Sequence, residues 1–214
     1  MANDVEVLRG RVALVTGAGE GAARAVALAL GAAGASVVVN DVNPDRAERV
    51  AAAIAAEGGQ AFPWVADVGN KFQVGSMIER LRDEYGGLHI VVSGWAVNKR
   101  SPFLTLDEYD WRRVLEVNLT GAFFVSQMAA RVMADEGGGV IVQLAAPIDS
   151  TVTGQTPYAV SQAGLLALTQ AMVAELAPLG VRCEAVLLRD DPAQTAAAVM
   201  QAVQGVSGGK LCPG

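Results

Sequence analysis

The chain has 214 residues, of which 52% are hydrophobic and 18% charged, with a formal net charge of −6. That length and apolar content suit one folded domain, 1–214, with a full core, and exclude an intrinsically disordered segment. The acidic balance argues against nucleic acid or an anionic membrane as partner.

MANDVEVLRG carries no basic-then-apolar leader pattern, and no apolar run is expected to reach the ~18–20 residues of a membrane span. A soluble, cytoplasmic protein is expected. Cys183 and Cys212 stand far apart with no metal-type spacing and read as two free thiols, and no metal site is expected.

Short β-rich runs alternate with longer alanine-rich stretches. RVALVT (11–16) reads as a buried strand, and residues 21–34 as a helix of small residues ending on glycine. SVVVND (36–41) is a second strand. Residues 44–59 form a helix with Pro44 near its start and a glycine stop. QAFPWVAD (60–67) is a third strand, and Pro63 within it suggests an edge or a bend. An amphipathic helix follows over 70–85, then LHIVVS (88–93) as the fourth strand. Residues 106–139 read as one long helix with a triple-glycine exit. VIVQLA (140–145) is the fifth strand, 157–177 a helix, VRCEAVLL (181–188) the sixth strand and 191–204 the last helix. The tail could add a short seventh strand.

Continuous Val/Ile/Leu strands separated by helices imply a parallel sheet covered on both faces. Right-handed crossovers make it a doubly wound α/β sheet, Rossmann-like, with six or seven strands. Ligands on such sheets bind at the carboxyl ends of the strands, near the topological switch point.

At that end, the first strand runs into TGAGEGAAR (16–24). Gly17, Gly19 and Gly21 lie between strand and helix, and Asp41 closes the second strand about twenty residues later. Glycines permit a tight turn and close backbone approach, and the helix N-terminus offers free N–H groups to a pyrophosphate. Asp41 would accept from the adenosine ribose hydroxyls and repel a 2′-phosphate. Glu20 adds a second negative charge. NAD is therefore favoured over NADP.

TGAGEGAA, NDV after the second strand, ADV (66–68), VNLTGAF (117–123) and YAVSQAG (158–164) together resemble the short-chain dehydrogenase/reductase family over nearly the whole length. The resemblance implies that Gly17, Gly19 and Gly21 line the pyrophosphate and that Asp67 with Val68 flanks the adenine. It would place a glycine at Ala23, whose methyl would crowd the turn.

Members of the family use a serine, a tyrosine, a lysine and a helix asparagine. By resemblance Tyr158 is the tyrosine and Asn118 the asparagine that supports a proton-relaying water. The lysine position is Gln162, and the serine position is Ala145 or Ala146. Ser150, Thr151 and Thr153 are the hydroxyls further along the loop. A free phenol has a pKa of ~10, so about one in a thousand is ionised at neutral pH. An ammonium would make the phenolate cheaper, and glutamine has no charge with which to do so, although its amide could still bond the ribose. Where the family usually reads Asn-Asn-Ala-Gly, residues 93–96 are Ser-Gly-Trp-Ala, and Trp95 could fill space that the nicotinamide ribose needs. After the sixth strand, LLRDDP leads straight into the last helix, without the family's substrate lid. His89 opens the fourth strand away from the site and reads as structural.

The expected function is a divergent, NAD(H)-binding family member with a degraded active site and little or no turnover, a pseudoenzyme acting in binding or assembly. The alternative is an NAD-dependent oxidoreductase of alcohols or carbonyls, for example 3-oxoacyl-type substrates, using Tyr158. The resemblance implies a homo-oligomer, dimer or tetramer, through helices 106–136 and 157–177, or a hetero-oligomer with an active relative.

Overall fold

The computed structural model describes residues 7–147 and 153–205. In chain order the elements are β1 (Val12–Thr16), α1 (Gly21–Ala32), β2 (Ser36–Asp41), α2 (Pro44–Ala56), β3 (Gln60–Val65), α3 (Lys71–Tyr85), β4 (Ile90–Ser93), α4 (Glu108–Leu115), α5 (Gly121–Asp135), β5 (Gly139–Ala145), α6 (Thr156–Leu176), β6 (Val181–Leu187) and α7 (Pro192–Gln204). The six strands pair in parallel in the order β3-β2-β1-β4-β5-β6. This is the doubly wound sheet expected. The candidate seventh strand lies outside the described residues.

Strand alternation sorts the core into two halves. Ala13, Val15, Val37, Val39, Val92 and Val142 face α1, α2 and α7. Leu14, Val38, Val91 and Ile141 face α3 and α5. Both faces are apolar because both are covered, which is why the strands read as unbroken hydrophobic runs. Pro63 sits on β3, the outermost strand on its side, where a missing N–H costs no ladder bond to a further strand.

Several helix starts are fixed by side-chain caps: Asn43 accepts from Arg46 N, Asn70 from Phe72 N and Gln73 N, and Asp191 from Ala193 N. The stretch read as one long helix is continuous but irregular. A π-turn, Glu116–Thr120, joins α4 to α5 and carries Asn118. Such a turn shifts one helix face by a residue and often marks a functional position.

The expectation that no segment is long and apolar enough to span a membrane is corrected. Thr156–Leu179 passes that test by length and composition, with 22% of its most apolar window buried. Its inner side is docked on the sheet through Ser161, Gln162, Leu165 and Thr169, all buried. The helix is apolar because its outer side is apolar too.

Candidate active site

The order of strands reverses between β1 and β4, and the crevice opens at their carboxyl ends. Gly17 (φ +64°) and Gly21 (φ +61°) turn the chain from β1 into α1 with left-handed backbone that favours glycine. A β-carbon on Gly17 would stand 2.7 Å from the Cβ of Trp95, so the turn and the segment after β4 are packed backbone to backbone. Space in front of Gly21 is open. Glu20, the N-cap residue of α1, makes no side-chain cap bond. Uncapped N–H groups facing open space suit a pyrophosphate.

Gly17, Glu20, Gly21, Asp41, Asp67 and Val68 line one cavity of about 430 Å³. Asp41 Oδ2 accepts from Gly19 N (3.0 Å) and Oδ1 from Asn43 N (2.9 Å). The carboxylate is thus held by backbone, with lone pairs to spare. Asp67 Oδ2 accepts from Arg113 Nη2 at 2.7 Å, and Oδ1 accepts from Gly69 N at 2.9 Å. That pairing, with Glu116 adding a second, raises Arg113 above its ordinary range. Arg113 and Arg46 line the same cavity. Neither was singled out from sequence, since no local pattern links them to Asp67 and Glu20 across the fold.

The crowding expected at Ala23 is absorbed. Ala23 is buried, and a β-carbon at residue 94 would lie 2.5 Å from its methyl. Glycine at 94 makes room for the methyl that the turn gained.

Trp95 turns inward. Its Nε1 donates to Val117 O at 2.7 Å, a carbonyl of the π-turn. The indole packs against Ala122, Ala145 and Leu165 and is half-buried. It therefore belongs to the core while still bordering the cavity.

The residues matched to catalysis stand on α6, β5 and the π-turn and do not line that cavity. Tyr158 lies in the first turn of α6, and burial pushes its phenol above the ordinary value, with no cation among the described residues to offset this. Gln162, one turn on, is 3% exposed, and its Oε1 accepts from Ala146 N at 2.7 Å. Its carbonyl oxygen is therefore engaged by β5's exit rather than turned toward a ribose. Ala145 is fully buried in an apolar cluster. Ser150 and Thr151 lie outside the described residues, and Thr153 is exposed in the turn before α6.

Asn118 acts as a strut. Its Oδ1 accepts from Val97 N (2.8 Å), and its Nδ2 donates to Val97 O (2.9 Å) and to Ser161 Oγ (3.0 Å). Ser161 in turn donates to Tyr158 O at 2.7 Å. Both amide protons are spent, so the side chain ties α6's first turn to the segment after β4. Ser161 was missed from sequence, though its place three residues after Tyr158 sets it one turn along the same helix face.

The chain runs from β6 into α7 through residues 188–191 alone, as expected. Leu188 N donates to Ala145 O and Arg189 N to Thr195 Oγ1, pinning that connection. His89 is structural: its Nδ1 accepts from Val12 N at 3.1 Å. Cys183 is a free thiol that burial pushes up to about 11, while Cys212 lies outside the described residues.

The short chain dehydrogenase model matches residues 11–203. The chain belongs to the short-chain dehydrogenase family. It is 32% identical over 174 residues to (2S)-[(R)-hydroxy(phenyl)methyl]succinyl-CoA dehydrogenase subunit BbsD of Thauera aromatica, covering 81% of this chain and 70% of that one. It is 30% identical to the 3-oxoacyl-[acyl-carrier-protein] reductase FabG of Thermotoga maritima, over 84% of this chain and 73% of the reductase. A metagenomic short-chain oxidoreductase solved with NADP superposes with a TM-score of 0.88 at 26% identity, covering 92% of each chain. Short-chain dehydrogenases bind nicotinamide cofactors, and the uncapped, glycine-lined turn of this chain fits that group.

Proposed function

We propose that the chain binds a nicotinamide dinucleotide along the Gly17–Asp41–Asp67 cavity, NAD before NADP, and reduces a carbonyl slowly with Tyr158 as proton donor. Bound there, the cofactor would supply the hydride. The chain's part is the proton. A phenol raised by burial stays protonated at neutral pH and can donate to a carbonyl oxygen that is gaining charge. Alcohol oxidation would need the phenolate, which nothing at 162 stabilises. Ala145 offers no polarising donor, a loss worth ~10²–10³ in rate where it resembles removal of an oxyanion-hole donor.

The carrying observation is Tyr158, its phenol raised by burial and its backbone carbonyl held by Ser161, which Asn118 holds in turn, on a fold whose similar proteins include a 3-oxoacyl reductase. A ketone of that type is the proposed substrate class, and the cytoplasm the proposed compartment. The test pairs calorimetric titration of NADH with NADH consumption over a panel of 3-oxoacyl thioesters and other ketones. Binding with slow consumption that Tyr158→Phe abolishes is expected. No heat of binding would end the cofactor half, and binding without any turnover would end the catalytic half.

A second reading is a non-catalytic subunit. Supporting it are Gln162's commitment to Ala146, the apolar setting of Ala145, and the Thauera relative's name as a dehydrogenase subunit. Either reading includes assembly. A groove of about 580 Å³ between α5 and α6 is lined by Phe123, Ala130, Leu168, Met172 and Leu176. A second copy, or an active relative presenting the same helices, is the proposed occupant. Light scattering should give a dimer or tetramer that Met172→Arg dissociates. A wild-type monomer at micromolar concentration contradicts the assembly.

A further inference from the structure

The choice between NAD and NADP turns, in the sequence, on Asp41 and on the extra negative charge of Glu20. The structure places a cation between them. Arg46, in the first turn of α2, lines the cavity beside Asp41, and its Nη1 donates to Glu20 Oε1 at 2.9 Å. A β-carbon on Gly19 would collide with Asp41 Oδ2 and would lie 2.5 Å from the Cβ of Arg46. The carboxylate and the base of the Arg46 side chain therefore press on the same glycine. Arg46 and Asp41 thus flank the same side of the cavity.

We propose that Glu20 and Arg46 form a latch that sets 2′-phosphate selectivity, with Arg46 the residue that would accept the phosphate and Glu20 the one that keeps it occupied. The proposal rests on the dinucleotide reading of the cavity. A guanidinium is a strong partner for phosphate because its fork of donors matches the oxygens. Paired with Glu20, its charge is cancelled locally. The pair is exposed, with the two side chains 38% and 68% accessible. Such a bridge contributes little to stability, so it can be broken without disturbing the fold. Asp41 is different. Its two oxygens hold the backbone of Gly19 and Asn43, and replacing it would loosen the turn itself. The latch is thus the adjustable part of the selectivity, and Asp41 the fixed part.

The experiment measures Kd for NADH and NADPH by calorimetry on the full chain, in the wild type, Glu20→Gln and Glu20→Gln/Arg46→Ala. The readout is the NADPH-to-NADH affinity ratio, which needs no turnover. Glu20→Gln should raise the ratio about tenfold, the scale of one charge-assisted hydrogen bond, and the gain should shrink with added salt. The double variant should return it to the wild-type value. A ratio within about threefold of wild type in Glu20→Gln overturns the latch. A gain that survives in the double variant also overturns it, because Glu20 would then act by direct repulsion alone. NADH binding by the wild type separates these outcomes from failure of the cavity reading. Absence of binding to either cofactor in all three proteins removes that reading, and the latch with it.

Discussion

Gln162 Oε1 accepts a hydrogen bond from Ala146 N at 2.7 Å, joining the second turn of α6 to the exit of β5. By the resemblance to the family, an ammonium would be expected at this position. Replacing it with lysine would lose that acceptor and place a charge at a position 3% exposed. Gln162→Lys should therefore destabilise the protein by about 1–3 kcal/mol, read as a lower urea midpoint with an unchanged slope. An unaltered midpoint would mean that Ala146 N finds another partner without cost.

Tyr158 fixes a pH dependence. Its phenol is raised by burial, so the protonated acid persists across neutral pH and is lost only above ~10. Carbonyl reduction should be flat between pH 6 and 9. Alcohol oxidation should climb about tenfold per pH unit over the same interval, since it draws on the phenolate. Equal pH profiles in the two directions would contradict Tyr158 as the titrating group.

Asn118 holds three hydrogen bonds in a buried position. Asn118→Ala should cost roughly 2–4 kcal/mol and free the segment around Val97. Hydrogen exchange at Val97 N is the direct probe. Protection there equal to wild type would show that the strut is dispensable.

Ser93 behaves oppositely. Its hydroxyl is buried with no partner among the described residues. Ser93→Ala removes an unmet donor at the end of β4 and should stabilise by about 1 kcal/mol. A loss of stability instead would reveal a bond that the alanine cannot make.

His89 couples stability to acid. Its Nδ1 accepts from Val12 N, which requires the neutral ring, and desolvation with Arg11 holds its pKa below the ordinary value. The unfolded chain takes up this proton first. The contribution is therefore complete above ~6.5 and is lost as pH falls below it, with a slope no steeper than about 1.4 kcal/mol per pH unit. His89→Gln should flatten the profile between pH 5 and 7. An unchanged slope would assign the acid sensitivity to other groups.

The fold was legible because its signals are local and repeated. Each buried strand reads as one apolar run, and each helix carries its own cap or glycine stop. The glycine turn between β1 and α1 was legible too, since Gly17, Gly19 and Gly21 are constrained by geometry within five residues. What sequence could not show were relations across the sheet. Arg113 reaching Asp67, Arg46 reaching Glu20 and Trp95 bonding Val117 O join residues more than twenty positions apart. The π-turn was hidden for another reason: its residues have ordinary helix patterning, and the shift shows only in backbone bonding. The apolar length of α6 was underestimated because glutamine, serine and threonine interrupt the run without adding charge.

The four-residue passage from β6 to α7 has a kinetic consequence. With Leu188 and Arg189 pinned by Ala145 O and Thr195, that passage has no slack to fold over a ketone of the class proposed above. Arrival and departure of ligands there should be fast beside a handicapped chemical step. Deuterated NADH should then express its full primary isotope effect in steady-state turnover, leaving bond cleavage as the slow event.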